Sequence, residues 1–505
     1  MTERDLEIYL RDLLKKRKYL VVVDDLWQRE AWESLKRAFP DSKNGSRVII
    51  TTRKEDVAER ADSRGFVHQL RFLSQEESWD LFCRKLLDVQ AMTSTMERIA
   101  KDMVNKCGGL PLAIVVLSGL LSQKRGLGEW QKVKDRLWKN IEDDSIEISY
   151  ILSLSYNDLS TALKQCFLYF GIFPEDRVLE AENIIRLWMA EGYIPRGEER
   201  MEDVAEGFLN ELIRRSLVQV ARTFWEKVTE CKVHDLLRDL TIQKALEVNF
   251  FDIYDPRNHS ISSLCIRHAI HDQGEKYLSL DLSNLKLRSI IFFDPDFRNM
   301  NLINFSSVFQ HIYVLYLDTL GGTVPYAIGS LYHLKFLSLR GIGNLPSSIG
   351  NLKNLQTLCV KSEFRHLCQL PPETADLINL RHLVAPYSEP LLDGRIEKLP
   401  LLPNSITMMV LLDSKLMEDP MPILGMLPNL RKLEFLRAYQ GKEIFCGDNS
   451  FHQLEFLSLA CLENLDTWHL ATSAMLLIKG LRIDHCKKLN NIPQRMKDVK
   501  LFKHT

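Results

Sequence analysis

The 505-residue sequence lacks the features that mark several large classes of protein. Its 66 Lys and Arg residues are matched by 67 Asp and Glu residues, so there is no overall basic signal for nucleic-acid binding. Its 10 cysteines form no CxxC pair and no Cys/His cluster at zinc spacing, which favours reduced thiols in a cytosolic or nuclear protein. The charged start, Met1–Asp5, has no apolar core after it and predicts no signal peptide.

Long apolar runs are also missing. The longest, Leu110–Leu121, falls short of the ~20 residues that a membrane span needs, and it contains Pro111. We therefore expect a buried helix there and no transmembrane segment. With 45% hydrophobic and 26% charged residues the composition is globular, and the length predicts several domains of ~100–200 residues each.

The stretch Tyr19–Trp27 reads YLVVVDDLW. Its apolar run leads into two adjacent carboxylates, Asp24 and Asp25, and predicts a strand buried on both faces, as in a parallel sheet. Parallel sheets bind ligands beyond the carboxyl ends of their strands, where two acids suit a Mg²⁺ ion and an activated water beside nucleotide phosphates. The alternative is that the two acids only turn the chain and cap the next helix.

Helical patterns lie on either side of this strand, over residues 4–18 and around Trp32–Phe39. After an Asn-Gly turn, the β-branched residues of Arg47–Thr52 predict a second strand, so the order is that of a βαβ unit. Arg53 leaves the second strand as the two acids leave the first. A cation there suits a terminal phosphate, although an exposed arginine before a helix fits the sequence as well.

A helical region follows from Leu70. Ser74 and Glu77 predict a capping box ahead of an apolar helix. The segment Cys107–Leu112, CGGLPL, then breaks the chain; its glycines permit close backbone approach, and Pro111 fits the first turn of a helix. This segment predicts either a wall for a flat base or a plain helix start.

Residues 146–245 predict a winged-helix module, because apolar helical faces precede a short hairpin between Val218–Val220 and Lys232–Val233. The next helix is predicted over Leu236–Ala245, with Asp235 as its N-cap. His234 stands at that helix start. It is placed either to reach a phosphate or to serve as an ordinary packing residue.

From about residue 261 the sequence repeats the pattern LxxLxL, with units that start 21–26 residues apart, the range of leucine-rich repeats. Each unit predicts one strand of a solenoid, with the residues between the leucines on its concave surface. The solenoid is either an interaction surface or only a scaffold, and we favour the interaction surface. The first positions of the ten units are Ile261, Leu287, Ile312, Leu334, Leu355, Leu380, Ile406, Leu430, Leu454 and Ile478.

In this order the motifs resemble those of plant nucleotide-binding leucine-rich-repeat (NB-ARC/LRR) disease-resistance proteins, of the class with an N-terminal coiled coil. LVVVDDLW resembles the family's Walker B motif, GSRVIITTR the sensor motif that ends in arginine, and CGGLPLAI the GLPL motif. CFLYFGIFPED with IIRLWMAEGYI resembles the winged-helix signature, and VHDLLRDL the MHD motif with valine in first position.

The resemblance implies a fold class and four domains. The fold is an α/β, partial P-loop-type nucleotide-binding sheet, followed by helical and winged-helix domains and a C-terminal leucine-rich-repeat solenoid. The implied domains are a partial nucleotide-binding domain (residues 1–69), a helical domain with the GLPL motif (70–145), a winged helix (146–245) and the repeats (246–505).

The resemblance also implies roles for single residues. Asp24 would hold Mg²⁺, Asp25 would act near the attacking water, and Arg53 would sense the γ-phosphate. Pro111 would pack near the adenine, His234 would touch the β-phosphate of ADP, and Asp235 would support that helix start. In such a switch ADP holds the closed form, and exchange for ATP permits opening and self-association, with at most slow hydrolysis, so no enzyme is expected. The repeats would bind a pathogen effector or a guarded host protein in the cytoplasm, with the nucleus or a membrane surface as alternatives, and no nucleic acid is expected as a partner.

One motif of the family is absent. The phosphate-binding loop GxxxxGK[ST] does not occur, and the only Gly-Lys pair is Gly441-Lys442, inside the repeats. We therefore expect an N-terminally truncated or degenerate relative. This leaves an alternative function, a non-catalytic interaction protein that binds partners through its repeats with nucleotide binding lost.

Overall fold

The computed structural model divides the chain into two compact units, Met1–Leu73 and Ser74–Thr505. It describes residues 3–40, 44–61, 65–86, 88–90, 92–139, 148–224, 227–257, 261–294, 310–318, 324–340, 345–361, 370–386, 399, 401–414 and 416–504. The predicted boundary at residues 145 and 146 lies outside the described residues. The three boundaries between the four domains stay predictions.

The first unit is organised around two parallel strands, β1 (Leu20–Val23) and β2 (Arg47–Ile50), which pair residue by residue from one end to the other. Its helices are α1 (Glu3–Lys15), α2 (Arg29–Lys36) and α3 (Glu55–Ala61). Two parallel strands with α2 between them in sequence confirm the predicted βαβ order.

The prediction that β1 is buried on both faces is wrong. Exposed and half-buried residues alternate along it, and Leu20 and Val22 are 65% and 57% exposed. The other face of the pair packs on a small core that includes Trp32 and Val57. The run misleads because its exposed positions carry apolar residues too, which hides the period of two that normally identifies a half-buried strand.

The second unit begins with helices. These are α4 (Gln75–Lys85), α5 (Ser94–Lys106), α6 (Pro111–Ser122), α7 (Leu127–Lys139), α8 (Ile148–Asn157) and α9 (Thr161–Leu168), followed by a 3-10 turn, Tyr169–Ile172. The capping box is confirmed, since Ser74 and Glu77 each accept a hydrogen bond from the other's backbone N–H. The buried apolar helix is confirmed in α6, where Val116–Leu121 are all buried.

The winged helix follows. It consists of α10 (Ala181–Glu191), α11 (Met201–Arg214) and a sheet in which β5 (Lys227–Lys232) pairs antiparallel with β3 (Leu179–Glu180) and β4 (Gln219–Phe224). The hairpin is longer than predicted. The predicted helix after it is present as α12 (Asp235–Glu247).

The repeats form a parallel sheet that has twelve strands among the described residues. Its strands are β6 (Asp252–Ile253), β7 (Arg267–Ile270), β8 (Ser289–Phe292), β9 (Val314–Asp318), β10 (Phe336–Arg340), β11 (Thr357–Lys361), β12 (His382–Pro386), β13 (Met408–Leu412), β14 (Lys432–Leu436), β16 (Phe456–Ala460), β18 (Gly480–Asp484) and β19 (Leu501–His504). A separate parallel pair is β15 (Glu443–Cys446) and β17 (Thr467–Leu470). The returning segments include the short helices α13 (Gly274–Leu278), α14 (Met421–Leu424) and α15 (Gln494–Lys497), and 3-10 turns at Tyr326–Ser330, Ser347–Asn351 and Pro372–Asp376.

Nine of the ten predicted repeat positions are confirmed, because a strand starts two residues after each of them, from Leu287 to Ile478. The prediction at Ile261 is wrong by four residues. Strand β7 takes Cys265, His268 and Ile270 as its core positions, while Leu264 is 71% exposed. The error arises because a histidine fills a leucine position. His268 is satisfied there by hydrogen bonds with the Tyr277 hydroxyl (3.0 Å) and the Ser262 carbonyl (3.2 Å).

The winged helix packs on the concave face of the first repeats. Ala269, Ile291, Val314 and Phe336 point to that face from β7 to β10, and all four belong to the hydrophobic core of the winged helix. The concave surface, which the sequence favours as an interaction surface, is therefore internal over these strands. Among the helices in the described ranges, each is too short or too polar to traverse a lipid bilayer.

Candidate functional site

The carboxyl ends of β1 and β2 bring Asp24, Asp25 and Arg53 together. Because Val23 lies opposite Ile50, the residues that follow the two strands also meet. The Thr51 hydroxyl donates to Asp24 Oδ1 and accepts from the Asp25 N–H at 2.8 Å. Sequence reasoning missed Thr51. The strand register alone would have found it, since Thr51 follows β2 as Asp24 follows β1.

The Asp25 carboxylate is held by two side chains. Arg53 donates from Nη2 to Oδ2 at 2.8 Å and from Nε to Oδ1 at 3.2 Å, and Trp27 Nε1 donates to Oδ2 at 2.8 Å. The Arg53 guanidinium also lies over the Trp27 ring, with Cζ 4.0 Å from the centroid. The hydrogen bond from Arg53 lowers the pKa of Asp25, and that from Trp27 adds to it. Asp25 is therefore a stably ionised partner of Arg53, which makes it a poor proton acceptor.

The donor set at this edge fits a magnesium nucleotide. The Asp24 carboxylate and the Thr51 hydroxyl offer the hard oxygen ligands that Mg²⁺ prefers. The Arg53 guanidinium has the forked geometry that binds phosphate oxygens in pairs. An incoming phosphate has to compete with Asp25 for that arginine.

Pro111 occupies the first position of α6, as the sequence predicts. The two glycines before it, Gly108 and Gly109, have φ values of +60° and +76°, so only residues without a Cβ fit easily. Pro111 itself is exposed. The GLPL segment is therefore a sharp turn that ends in an open helix start.

The predicted N-cap of α12 is wrong by one residue. His234, not Asp235, caps the helix, because its Nδ1 accepts from the Leu236 N–H at 3.3 Å and its carbonyl accepts from the N–H groups of Leu237 and Arg238. Asp235 is the first helical residue, where a negative charge favours the helix dipole. With Nδ1 used as an acceptor, the proton of a neutral His234 is on Nε2, the nitrogen that is left to donate. Pro111 and His234 begin different helices, and no hydrogen bond joins them within the described ranges.

A buried charge cluster that no motif predicts joins the winged helix to the first repeats. The Glu191 side chain, at the end of α10, is 0% exposed and accepts from Arg267 Nε at 3.0 Å and from the Ser289 hydroxyl. Arg288 Nε lies 3.3 Å from the same carboxylate, and its Nη2 donates to the Glu191 carbonyl at 2.6 Å. One carboxylate thus serves two arginines of successive repeats.

A second contact joins α11 to the middle repeats. Glu202 pairs with Arg381 at 2.7 Å and with His382 Nε2 at 3.2 Å, while His382 Nδ1 lies 2.9 Å from the Thr357 hydroxyl. Burial alone would raise the pKa of Glu202, but the His382 hydrogen bond and the charge of Arg381 outweigh it and hold the pKa at about 2. Burial lowers the pKa of His382, so the ring is neutral at pH 7 and donates from Nε2.

A cavity of about 550 Å³ lies between the β4–β5 hairpin and strands β14, β16 and β18. Its lining is mixed in charge, and its charges largely neutralise one another. Lys432 pairs with Glu182 and, at 2.7 Å, with Glu434, and Lys227 pairs with Glu206 at 3.1 Å. This mixed lining does not select a ligand of either sign.

Comparison with known protein families identifies the same three regions in the same order. Residues 1–92 match the NB-ARC domain, residues 172–241 match the disease resistance protein winged helix domain, and residues 286–414 match a leucine-rich repeat region. A nucleotide-binding domain followed by a winged helix and leucine-rich repeats defines the nucleotide-binding leucine-rich-repeat class of protein. The chain belongs to the plant disease-resistance family of that class.

Individual relatives of the chain are also disease resistance proteins. The chain is 42% identical over 410 residues to Disease resistance protein RPP13 of Arabidopsis thaliana, covering 79% of this chain and 48% of the relative. It is 29% identical to Disease resistance protein RPP8 of the same plant, covering 100% of this chain and 68% of the relative. The chain spans about half the length of the RPP13-type relatives that it matches (46% to 54%). A solved structure titled as the plant peptide hormone receptor RGFR1 in complex with RGF2 covers 50% of this chain and 49% of its own, with 16% identity and a TM-score of 0.31, too slight a likeness to argue from.

Proposed function

We propose that the chain acts in plant innate immunity as a nucleotide-dependent signalling receptor, a switch rather than an enzyme, of the coiled-coil class. The observation that carries the proposal is the cluster at the ends of β1 and β2, where an acid, a hydroxyl and an arginine meet. Oxygen ligands beside a forked cation are what a magnesium nucleotide requires. The NB-ARC match over the same residues supports it.

Each residue has a role in this proposal. Asp24 and Thr51 would hold Mg²⁺, which when bound would screen the charge of the phosphates. Arg53 would exchange Asp25 for a terminal phosphate, so Asp25 would set how readily that arginine is released, with its predicted action on the attacking water secondary. His234 would donate from Nε2 to the β-phosphate of ADP, Asp235 would support that helix start, and Pro111 would pack near the adenine.

The repeats would supply recognition. Solenoids bind proteins over extended surfaces, and here the partner would be a pathogen effector or a guarded host protein in the cytoplasm. ADP would favour a closed form, and exchange for ATP would permit opening and self-association. Such a switch needs only that the nucleotide binds the two forms with different affinity.

Equilibrium dialysis of the purified full chain with labelled ADP tests the nucleotide role. We expect the unmodified chain to retain ADP and the His234→Ala and Arg53→Ala variants to lose it. His469→Ala, an exposed histidine in the repeats, is the matched control and should bind as the unmodified chain does. If the unmodified chain binds no ADP, the switch is refuted for this chain, and the alternative role as an interaction protein without nucleotide takes its place.

A further inference from the structure

Three residues that directly precede successive repeat strands form a cationic column. Arg288, Tyr313 and Lys335 stand just before β8, β9 and β10, and backbone hydrogen bonds of 2.7 and 2.8 Å connect them. The Tyr313 ring lies between the two cations, with Arg288 Cζ 4.3 Å and Lys335 Nζ 5.0 Å from its centroid. Unlike the sheet residues beneath the winged helix, these three are partly open to solvent.

Positive charge in the column exceeds the negative charge available to it. Arg288 shares Glu191 with Arg267, as described above. Lys335, half-buried, makes no ion pair within the part of the chain that the structure describes. Burial lowers the pKa of its amine, and the charges of Arg288 and Arg196 lower it further, against a single opposing effect from Glu191. Three cations, Arg267, Arg288 and Lys335, therefore depend on one carboxylate that already pairs with the two arginines.

Aromatic rings border the column on one side. The exposed His333 ring stacks beside Tyr313, with centroids 6.0 Å apart, and His311 lies 5.6 Å from His333. An imidazole ring can donate a hydrogen bond to an anion. The border therefore suits a negatively charged group that is bound from solvent.

The excess of positive charge is local. Further along the same column Arg381 pairs with Glu202 at 2.7 Å, and Arg431 and Lys479 share Glu455 at 3.0 and 3.2 Å. The uncompensated part spans three strands, about 10 Å at the usual spacing of neighbouring strands. That length matches one or two carboxylates and is short for a nucleic-acid backbone, which is contacted through many phosphates.

We propose that Arg288 and Lys335 form a binding site for a short acidic segment, rich in aspartate and glutamate, of a protein ligand of the repeats. Tyr313 contacts both column cations, and His333 borders the site. The inference rests on the proposed role of the repeats in recognition and not on nucleotide binding. A protein carboxylate fits better than a phosphate polymer because the uncompensated positive charge spans only about 10 Å.

Fluorescence anisotropy of a fluorescein-labelled octapeptide rich in glutamate, added to the full chain at low salt and without nucleotide, tests the site. We expect Lys335→Gln to weaken binding about tenfold, the lower end for loss of one charge-assisted hydrogen bond. The matched control is Lys353→Gln, an exposed lysine on the turn of the following repeat, which should bind as the unmodified chain does. The same peptide with glutamine for glutamate should not bind.

Two further measurements separate the alternatives. Acylation of lysines followed by mass spectrometry should show Lys335, and not Lys353, protected by the acidic peptide. Lys335→Gln should melt at the same or a higher temperature than the unmodified chain, because it removes repulsion, and this excludes misfolding as the cause of weak binding. Unchanged peptide affinity in Lys335→Gln would overturn the proposal, as would tighter binding of an octanucleotide RNA or of tripolyphosphate than of the peptide. Loss of ADP binding leaves these outcomes unaffected, so the two proposals fail separately.

Discussion

Replacement of Glu191 by alanine should loosen the winged helix from the repeats. The Glu191 side chain is 0% exposed, and its partner Arg267 is only 9% exposed. In Glu191→Ala, Arg267 keeps one hydrogen bond, to the Phe250 carbonyl at 3.1 Å, and loses its counter-charge. Removal of one partner from a buried ion pair costs about 3–5 kcal/mol, because the remaining charge stays desolvated.

Hydrogen exchange read by mass spectrometry measures this loss locally, in peptides that contain β7 and β8. A loss of about 3 kcal/mol corresponds to a hundredfold or greater acceleration of exchange, since each 1.36 kcal/mol is a factor of ten. The matched control is Glu247→Ala, whose carboxylate is 50% exposed and pairs with Lys244. There we expect less than about 1 kcal/mol.

A double variant tests the cause of the effect. Glu191→Leu combined with Arg267→Met replaces the buried pair by apolar side chains and should recover part of the lost protection, because the buried Arg267 charge is removed with its partner and only Arg288, which is 30% exposed, loses its counter-charge. Exchange in Glu191→Ala as slow as in Glu247→Ala would refute the reasoning. Equal acceleration in the single and double variants would show that shape rather than charge holds the contact.

Three other predictions concern packing, pH and the strand-end cluster. Gly119→Ala should lower the melting temperature, since a Cβ there would lie 2.6 Å from the backbone of Arg215, and overpacking typically costs about 1–3 kcal/mol. The control Gly207→Ala, whose Cβ would meet nothing within 4 Å, should raise the melting temperature. Equal shifts in the two variants would contradict the packing at Gly119. Glu202, whose folded pKa of about 2 lies below its unfolded value near 4.5, stabilises the fold above pH 4.5 and loses that contribution as the pH falls toward 2. The free energy of unfolding should therefore change less with pH over this range in Glu202→Gln than in the unmodified chain. The same pH dependence in both would contradict the prediction. Trp27→Ala removes a hydrogen bond to Asp25 and the ring beneath its arginine, so limited proteolysis of residues 1–73 should accelerate in line with a loss of about 1 kcal/mol, and unchanged cleavage would contradict it.

The repeats are predictable from the sequence because leucines at fixed spacing leave one consistent register. Leu334, Leu337 and Leu339 are all 0% exposed, and the same pattern fixes the neighbouring strands. The pattern fails where a polar residue takes a core position, as His268 does in β7. A histidine is admitted there only because Tyr277 and Ser262 satisfy it, and Tyr277 comes from a helix that the sequence pattern does not align with it.

The strand-end cluster is predictable in its members and not in its pairings. The motifs identify Asp24, Asp25 and Arg53, since each follows a run of β-branched residues. They do not show that Arg53 is already bound to Asp25, because that pairing depends on the left-handed backbone of Asp25, with φ of +50°, and on the position of Trp27. The cap at His234 was missed for a related reason, since histidine is not among the residues favoured at that position.

The position of the winged helix decides which residues of the first repeats are open to solvent. Over β7–β10 the residues between the leucines, such as Ile291 and Phe336, are fully buried in its core, so they contribute to stability and are not available to a partner. The residues just before the strands remain partly open, and their charges are either matched by acids of the winged helix, as at Arg381, or left in excess, as at Lys335. A matched cation stabilises the fold, and an unmatched one destabilises it unless a ligand supplies the counter-charge. If the repeats recognise a ligand as proposed, the first repeats would do so through the column before the strands and not through the sheet itself.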